Sequence, residues 1–164
     1  MHGLKKILAA VDFSQYSPAS LRMALGLARD TGADLALVNV INQRDVEAVH
    51  HAVKYGQTLG LGERDFIERQ TGERLQMLAG LLRECGGDPA RAEMAVRVGV
   101  PAQEILRAIT EMKADLVVMG AKGRTNLAMA LFGSSAERVF RRSPVPVLSV
   151  RGDEQTASWA PPAA

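Results

Sequence analysis

The stretch Asp115-Leu-Val-Val-Met119-Gly120-Ala-Lys-Gly123-Arg-Thr-Asn-Leu-Ala-Met-Ala-Leu-Phe-Gly133-Ser134-Ser135 decides the reading of this chain. Asp115–Met119 is a short apolar run with no polar alternation, as a strand buried on both faces of a parallel sheet requires. Gly120 and Gly123 follow at once and let the backbone turn tightly and come close to a ligand. Gly133 and Ser134 then stand where a helix begins. The N–H groups of a helix's first turn lack intrahelical partners and carry the positive end of its dipole, so an anion such as phosphate suits that place. The hydroxyls of Ser134 and Ser135 add donors.

Outward from this stretch the same alternation repeats. Leu4–Val11, Ala33–Ile41, Ala92–Val98 and Pro144–Val150 are further runs of buried-strand type. Between them lie helical spacings. The first has Ser17 as N-cap, Pro18 at the first helical position and Thr31-Gly32 as its stop. The longest runs from Arg64 to Glu84 and ends at Gly86-Gly87-Asp88-Pro89, another opens at Pro101, and the last covers Ser134–Arg142. Residues 42–62 read as irregular, with a short helix over Val46–Tyr55. Strand and helix alternate about five times, and parallel neighbours need a crossover between them. The expected fold is therefore a single α/β domain with a doubly wound, five-stranded parallel sheet, over residues 1–151. Residues 152–164 lack periodicity and read as a loose tail.

Composition narrows the function. The 164 residues are 47% hydrophobic and 23% charged, a globular balance, and 20 basic against 18 acidic side chains give a net charge of +2. That balance predicts neither a nucleic-acid nor a membrane partner. Cys85 is the only cysteine, which excludes disulfide frameworks and cysteine-based zinc sites. The first six residues precede an apolar run that stops at Asp12, too short for a signal peptide. With no apolar run approaching about 20 residues, a cytoplasmic location is the expectation.

In an open parallel sheet, ligands bind beyond the carboxyl ends of the strands, where the winding reverses. Two segments qualify: the turn that begins at Asp12 and the loop after Met119. Neither carries G-x-x-x-x-G-K-[ST], G-x-G-x-x-G or G-x-S-x-G, so P-loop, dinucleotide-binding and nucleophile-elbow chemistries are excluded.

The spacing present, G-x2-G-x9-G-S, resembles the ATP-binding loop of the universal stress protein family. Lys5–Ser14 (KKILAAVDFS) resembles that family's first strand and turn, Arg97–Ile105 (RVGVPAQEI) its third strand and following helix start, and Ser143–Val150 (SPVPVLSV) its last strand. Together these segments span nearly all of residues 3–150. The resemblance implies a Rossmann-like fold of the adenine nucleotide alpha hydrolase type, with strand order 3-2-1-4-5. It implies that Asp12 contacts the nucleoside and that Val40 packs on adenine. Met119, Gly120 and Gly123, with Arg124 as a further loop contact, would lie along ribose and phosphates. Gly133, Ser134 and Ser135 would hold phosphates. ATP, ADP or AMP is the implied ligand, with Mg2+ as its companion ion. Asn39 stands where many members have His, and Ala121-Lys122 where many have Ser-Arg or Ser-His. Members commonly dimerise through their last strands, which here points to Val145–Val150.

Plainer roles stand beside these. Asp12 can cap its own turn, Val40 can be core, and Lys122 and Arg124 can be solvated loop charges. His50 and His51 are neighbours that a helix points in different directions, so they make a poor metal pair. Cys85 beside a helix stop reads as an inert, half-buried thiol, and Arg138, Arg141 and Arg142 as a solvated face. No nucleophile–base pair emerges. The sequence therefore favours an ATP-binding regulatory or stress-response module with at most slow hydrolysis and an unidentified regulatory protein partner. The alternatives are a nucleotide-free member working through protein contacts, and an adenylating or ATP pyrophosphatase-type enzyme, whose loop signatures are missing after the first strand.

Overall fold

The computed structural model describes residues 3–56, 62–121 and 133–152. Its elements run β1 (Lys6–Ala10), α1 (Ser17–Thr31), β2 (Asp34–Asn42), α2 (Gln43–Lys54), α3 (Glu63–Glu84), a 3-10 turn (Pro89–Arg91), β3 (Ala92–Gly99), α4 (Pro101–Glu111), β4 (Leu116–Gly120), α5 (Ser134–Arg142) and β5 (Val147–Val150). The five strands form one sheet in the order β3-β2-β1-β4-β5, and every pairing is parallel. This is the order that the resemblance implies.

Period-2 alternation sends successive side chains of each strand to opposite faces. Ile7 and Ala9 of β1 pack with Leu35 and Leu37 against Leu21, Ala24 and Ala28 of α1 and Leu78 and Leu82 of α3. Leu8 faces the other way, with Ala36, Val38 and Val117, against Ile105 and Ile109 of α4 and Val139 of α5. Ile7, Leu8, Leu37, Val117 and Val118 are wholly or almost wholly enclosed. Both faces of the sheet are therefore core, which is why its strands read as continuous apolar runs.

Several boundaries differ from the sequence reading. Ser17 was expected to cap α1, but Tyr16 is the N-cap and Ser17 is the first helical residue. The reason lies in Asp12, whose carboxylate takes the Ser17 hydroxyl and so removes it from the cap. At the other end Gly32 closes α1 with φ 71°, the left-handed conformation that glycine adopts without penalty. The segment read as irregular from residue 42 is helical from Gln43, because β2 runs straight into α2 with Asn42 as the cap, its side chain accepting the Arg44 N–H at 3.1 Å. β5 is shorter than the apolar run Pro144–Val150 suggests and starts at Val147. Pro146 lacks an N–H and joins the ladder only through its carbonyl, which accepts from Val117 N–H at 3.0 Å.

Gly152, placed in the tail by the sequence reading, is buried, and a Cβ there would meet the Tyr16 ring at 2.6 Å. The rest of the expected tail lies outside the described residues. Among the described residues no helix is long and apolar enough to cross a membrane.

Candidate functional site

The winding of the sheet reverses between β1 and β4, and a cleft opens beyond their carboxyl ends. It has a volume of about 560 Å³, within the range of roughly 300–1,000 Å³ common for small-molecule sites. Asp12, Val40, Met119, Gly120, Gly133, Ser134 and Ser135 all line it. The structure thus brings seven predicted residues from four separate segments around one cavity. The other two, Gly123 and Arg124, lie outside the described residues, as does Lys122.

Asp12 follows β1 and organises the turn into α1. One of its carboxylate oxygens accepts the Ser14 N–H and the Ser17 hydroxyl, both at 3.0 Å. Between them Phe13 is held at φ 59°, a left-handed conformation that bulky side chains rarely adopt. These two bonds fasten the strained turn and set the carboxylate at the mouth of β1. Capping and cleft lining are therefore both present in one residue.

Across the cleft, α5 begins at Ser134 with Gly133 as N-cap. The Gly133 N–H donates to Ala121 O at 2.9 Å, pinning the helix start to the end of β4. That bond assigns Gly133 a positioning role, and the first-turn amides from Ser134 onward are those that a helix leaves without intrahelical partners. Among the described residues no side chain caps α5. Ser134 is exposed, Ser135 half-buried and Ala136 buried, so the helix presents its polar end to the cavity. Met119 is 6% exposed and joins the core beneath the cleft, while Val40 packs partly against that same core.

Sequence reasoning missed the polar wall beside Val40. Asn39 is 2% exposed, and its Nδ2 donates to Val11 O at 2.7 Å. Its Oδ1 accepts from Arg74 Nη1 at 2.9 Å, and the same guanidinium nitrogen lies 3.2 Å from Val40 O. Arg74 comes from α3, whose inward stripe Ile67–Thr71–Arg74–Leu78–Leu82, half-buried at the first three positions and buried at the last two, has helical spacing. A charged residue in an otherwise core-facing series was the signal available in the sequence. Arg44 and Asp45, from the first turn of α2, also line the cleft, so Asp12 is not its sole carboxylate.

Other candidates resolve differently. His50 Nδ1 lies 3.2 Å from Glu63 Oε2, and no group of three or more metal-ligating side chains occurs among the described residues. Cys85 is half-buried with its Sγ 3.7 Å from Pro18 O, and burial raises its thiol pKa, which makes it a poor nucleophile. Arg141 pairs with Glu137 one turn back along α5 at 2.9 Å.

With this geometry in place, comparison with known proteins defines the class. Residues 3–151 match the Universal stress protein family, and the chain belongs to it. It is 31% identical over 147 residues to Universal stress protein MJ0531 of Methanocaldococcus jannaschii, covering 90% of this chain and 82% of that one. The solved structure of MJ0577 superposes with a TM-score of 0.75 at 26% identity, over 93% of this chain and 99% of the other. Two more distant structures share the fold. One is a universal stress protein in complex with cAMP, with a TM-score of 0.60, 22% identity, and coverage of 91% of this chain and 98% of that one. The other, from Archaeoglobus fulgidus in complex with dAMP, has a TM-score of 0.57, also at 22% identity, with coverage of 91% and 98%.

Proposed function

We propose that this universal stress protein binds an adenine nucleotide, ATP foremost, in the cleft between the Asp12 turn and the start of α5. The observation that carries the reading is the convergence of the β1 exit, the β2 exit and the α5 N-terminus on one cavity of nucleotide size. The donor set fits the ligand. The α5 amides and the Ser134 and Ser135 hydroxyls suit phosphate oxygens, the wall of Val40, Ile105 and Met119 suits a base, and Asp12 suits ribose hydroxyls. Relatives in complex with cAMP and dAMP support the adenine nucleotide class. Mg2+ would enter with the phosphates and neutralise part of their charge.

The protein acts as a regulatory, cytoplasmic binding module. Among the described residues the cleft aligns no nucleophile with a base, and Asp12 is already bonded to its own turn. Turnover should fall well below the roughly 1–10³ per second of dedicated enzymes. The unit is a homodimer joined through β5, an apolar edge strand whose outer backbone groups invite pairing.

The test is direct. Purified protein is denatured and the released nucleotide identified, and ATP affinity is measured by calorimetry for wild type and Gly133→Leu. Release of an adenine nucleotide, with affinity at least tenfold weaker in Gly133→Leu, supports the reading. Unchanged affinity places the site elsewhere. No binding by the wild type favours a nucleotide-free member working through protein contacts.

A further inference from the structure

From the polar wall beside Val40 we infer that Arg74 is the positioning residue of the nucleoside end of the cleft, acting through Asn39 and the Val40 carbonyl. The inference rests on the nucleotide-binding reading above and adds to it a residue from a helix that supplies no other cleft-lining side chain. The phosphate-facing end is the start of α5, beside β4. β1 separates β4 from β2 in the sheet, so a nucleotide anchored at α5 extends its nucleoside across Asp12 toward Asn39 and Val40.

At that end two chain exits must keep a fixed separation. The β1 exit carries Asp12, and the β2 exit carries Val40. Asn39 spans them, since its Nδ2 holds Val11 O at 2.7 Å, one residue before Asp12. A carboxamide can rotate about its terminal bond, so this span is only as firm as the bond on its oxygen, Oδ1. Arg74 Nη1 supplies that bond at 2.9 Å and ties Val40 O at 3.2 Å with the same nitrogen. Its Nε is in turn steadied by Gln70 Oε1 at 3.2 Å, one helical turn earlier. A charge-assisted donor in a part-buried setting is stiffer than a neutral one. The series Gln70–Arg74–Asn39–Val11 thus transmits the position of α3 to the Asp12 turn. Because Arg74 is on α3 and the phosphate donors are on α5, the two ends of the ligand depend on different helices.

That separation gives a signature which general loss of stability would not produce. Binding of ATP, adenosine and inorganic tripolyphosphate is measured by calorimetry for wild type, Arg74→Met and Arg74→Lys, each checked for a cooperative melt. Arg74→Met should weaken ATP and adenosine by about the same factor, tenfold or more, and leave tripolyphosphate within twofold. Arg74→Lys, which offers a compact ammonium in place of the two-acceptor fork, should restore part of the nucleoside affinity. Equal losses for ATP and tripolyphosphate would reduce Arg74 to a general structural residue and overturn the inference, as would unchanged adenosine affinity in both variants. If Arg74→Met fails to melt cooperatively, Arg74→Lys decides alone, by adenosine weakened at least threefold with tripolyphosphate within twofold, or by no such split. A wild type that binds none of the three ligands removes the nucleotide reading itself and the inference with it. A wild type that binds tripolyphosphate as tightly as ATP keeps the anion site but removes the nucleoside end that Arg74 is inferred to position.

Discussion

The Ser17 hydroxyl donates to the Asp12 carboxylate at 3.0 Å, joining the first helical residue of α1 to the last residue before the strained Phe13. One carboxylate therefore serves the turn and faces the cleft at once. The two roles are separable by substitution. Asp12→Asn keeps an oxygen that accepts the Ser14 N–H and the Ser17 hydroxyl, while it loses the charge. It should melt within about 1 kcal/mol of wild type yet bind nucleotide more weakly. Asp12→Ala removes both bonds and should cost about 1–3 kcal/mol as well. Chemical denaturation beside calorimetry checks both. An Asp12→Asn variant with full nucleotide affinity would leave Asp12 as a cap alone.

Asp115 sets an acid limit. Its carboxylate accepts the Lys5 and Lys6 N–H groups at 2.8 and 2.9 Å, fastening the start of β1 beside β4. These two bonds, the Lys5 N–H first, hold its pKa below the ordinary 3.8. The unfolded chain then binds the proton more readily than the folded one. The contribution is complete above the ordinary value and is lost as pH falls through it toward the lowered one. Denaturation midpoints of wild type and Asp115→Asn should differ at pH 7 and converge below about pH 4. A constant difference across that range would show that the hydrogen bonds, and not the charge, carry the effect.

Glu104 is the buried carboxylate of α4, its side chain 9% exposed between Arg107 Nη1 at 2.6 Å and Arg97 Nη1 at 3.6 Å. Arg97 also pairs with Glu111 and so ties α4 to the edge strand β3. Glu104→Ala leaves the Arg97 guanidinium, only 20% exposed, without its buried counter-charge. Breaking a buried pair from one side costs about 3–5 kcal/mol, and Glu104→Ala should approach the lower figure because Glu111 remains. Urea titration measures it. A loss under about 1 kcal/mol would mark the cluster as solvated.

The proposed dimer has a backbone test. The carbonyls of Pro146 and Val150 accept from Val117 and Ala121 of the β4 side, so the intervening odd-numbered residues of β5 turn their N–H groups outward. Val147 and Leu148 pack into the two cores, so a charge at either position would damage the protomer as well as the edge. Ser149→Pro removes an outward donor and leaves the β4 ladder intact. Light scattering should give twice the protomer mass for wild type and the protomer mass for this variant. A dimer that survives Ser149→Pro joins through another face.

The sequence by itself determined the class of fold. Runs such as Leu4–Val11 and Asp115–Met119 are apolar on both sides, and only a covered parallel sheet buries both sides of a strand. The end of the cleft proposed to bind an anion was legible for a related reason. Glycine spacing and a helix start are local properties, and Gly120, Gly133 and Ser134 lie close together in the chain. Boundaries were less so, since the loss of Ser17 as a cap depends on its hydroxyl reaching back to Asp12, five residues earlier. The polar wall beside Val40 was decided by tertiary structure alone. Arg74 meets Asn39 across 35 residues, and that meeting depends on how α3 crosses the end of β2. Hydrophobic periodicity says that position 74 faces inward. It carries no information on which polar group waits there, because the packing of Leu78 and Leu82 against the sheet sets the helix's position, and the guanidinium takes the acceptors it finds.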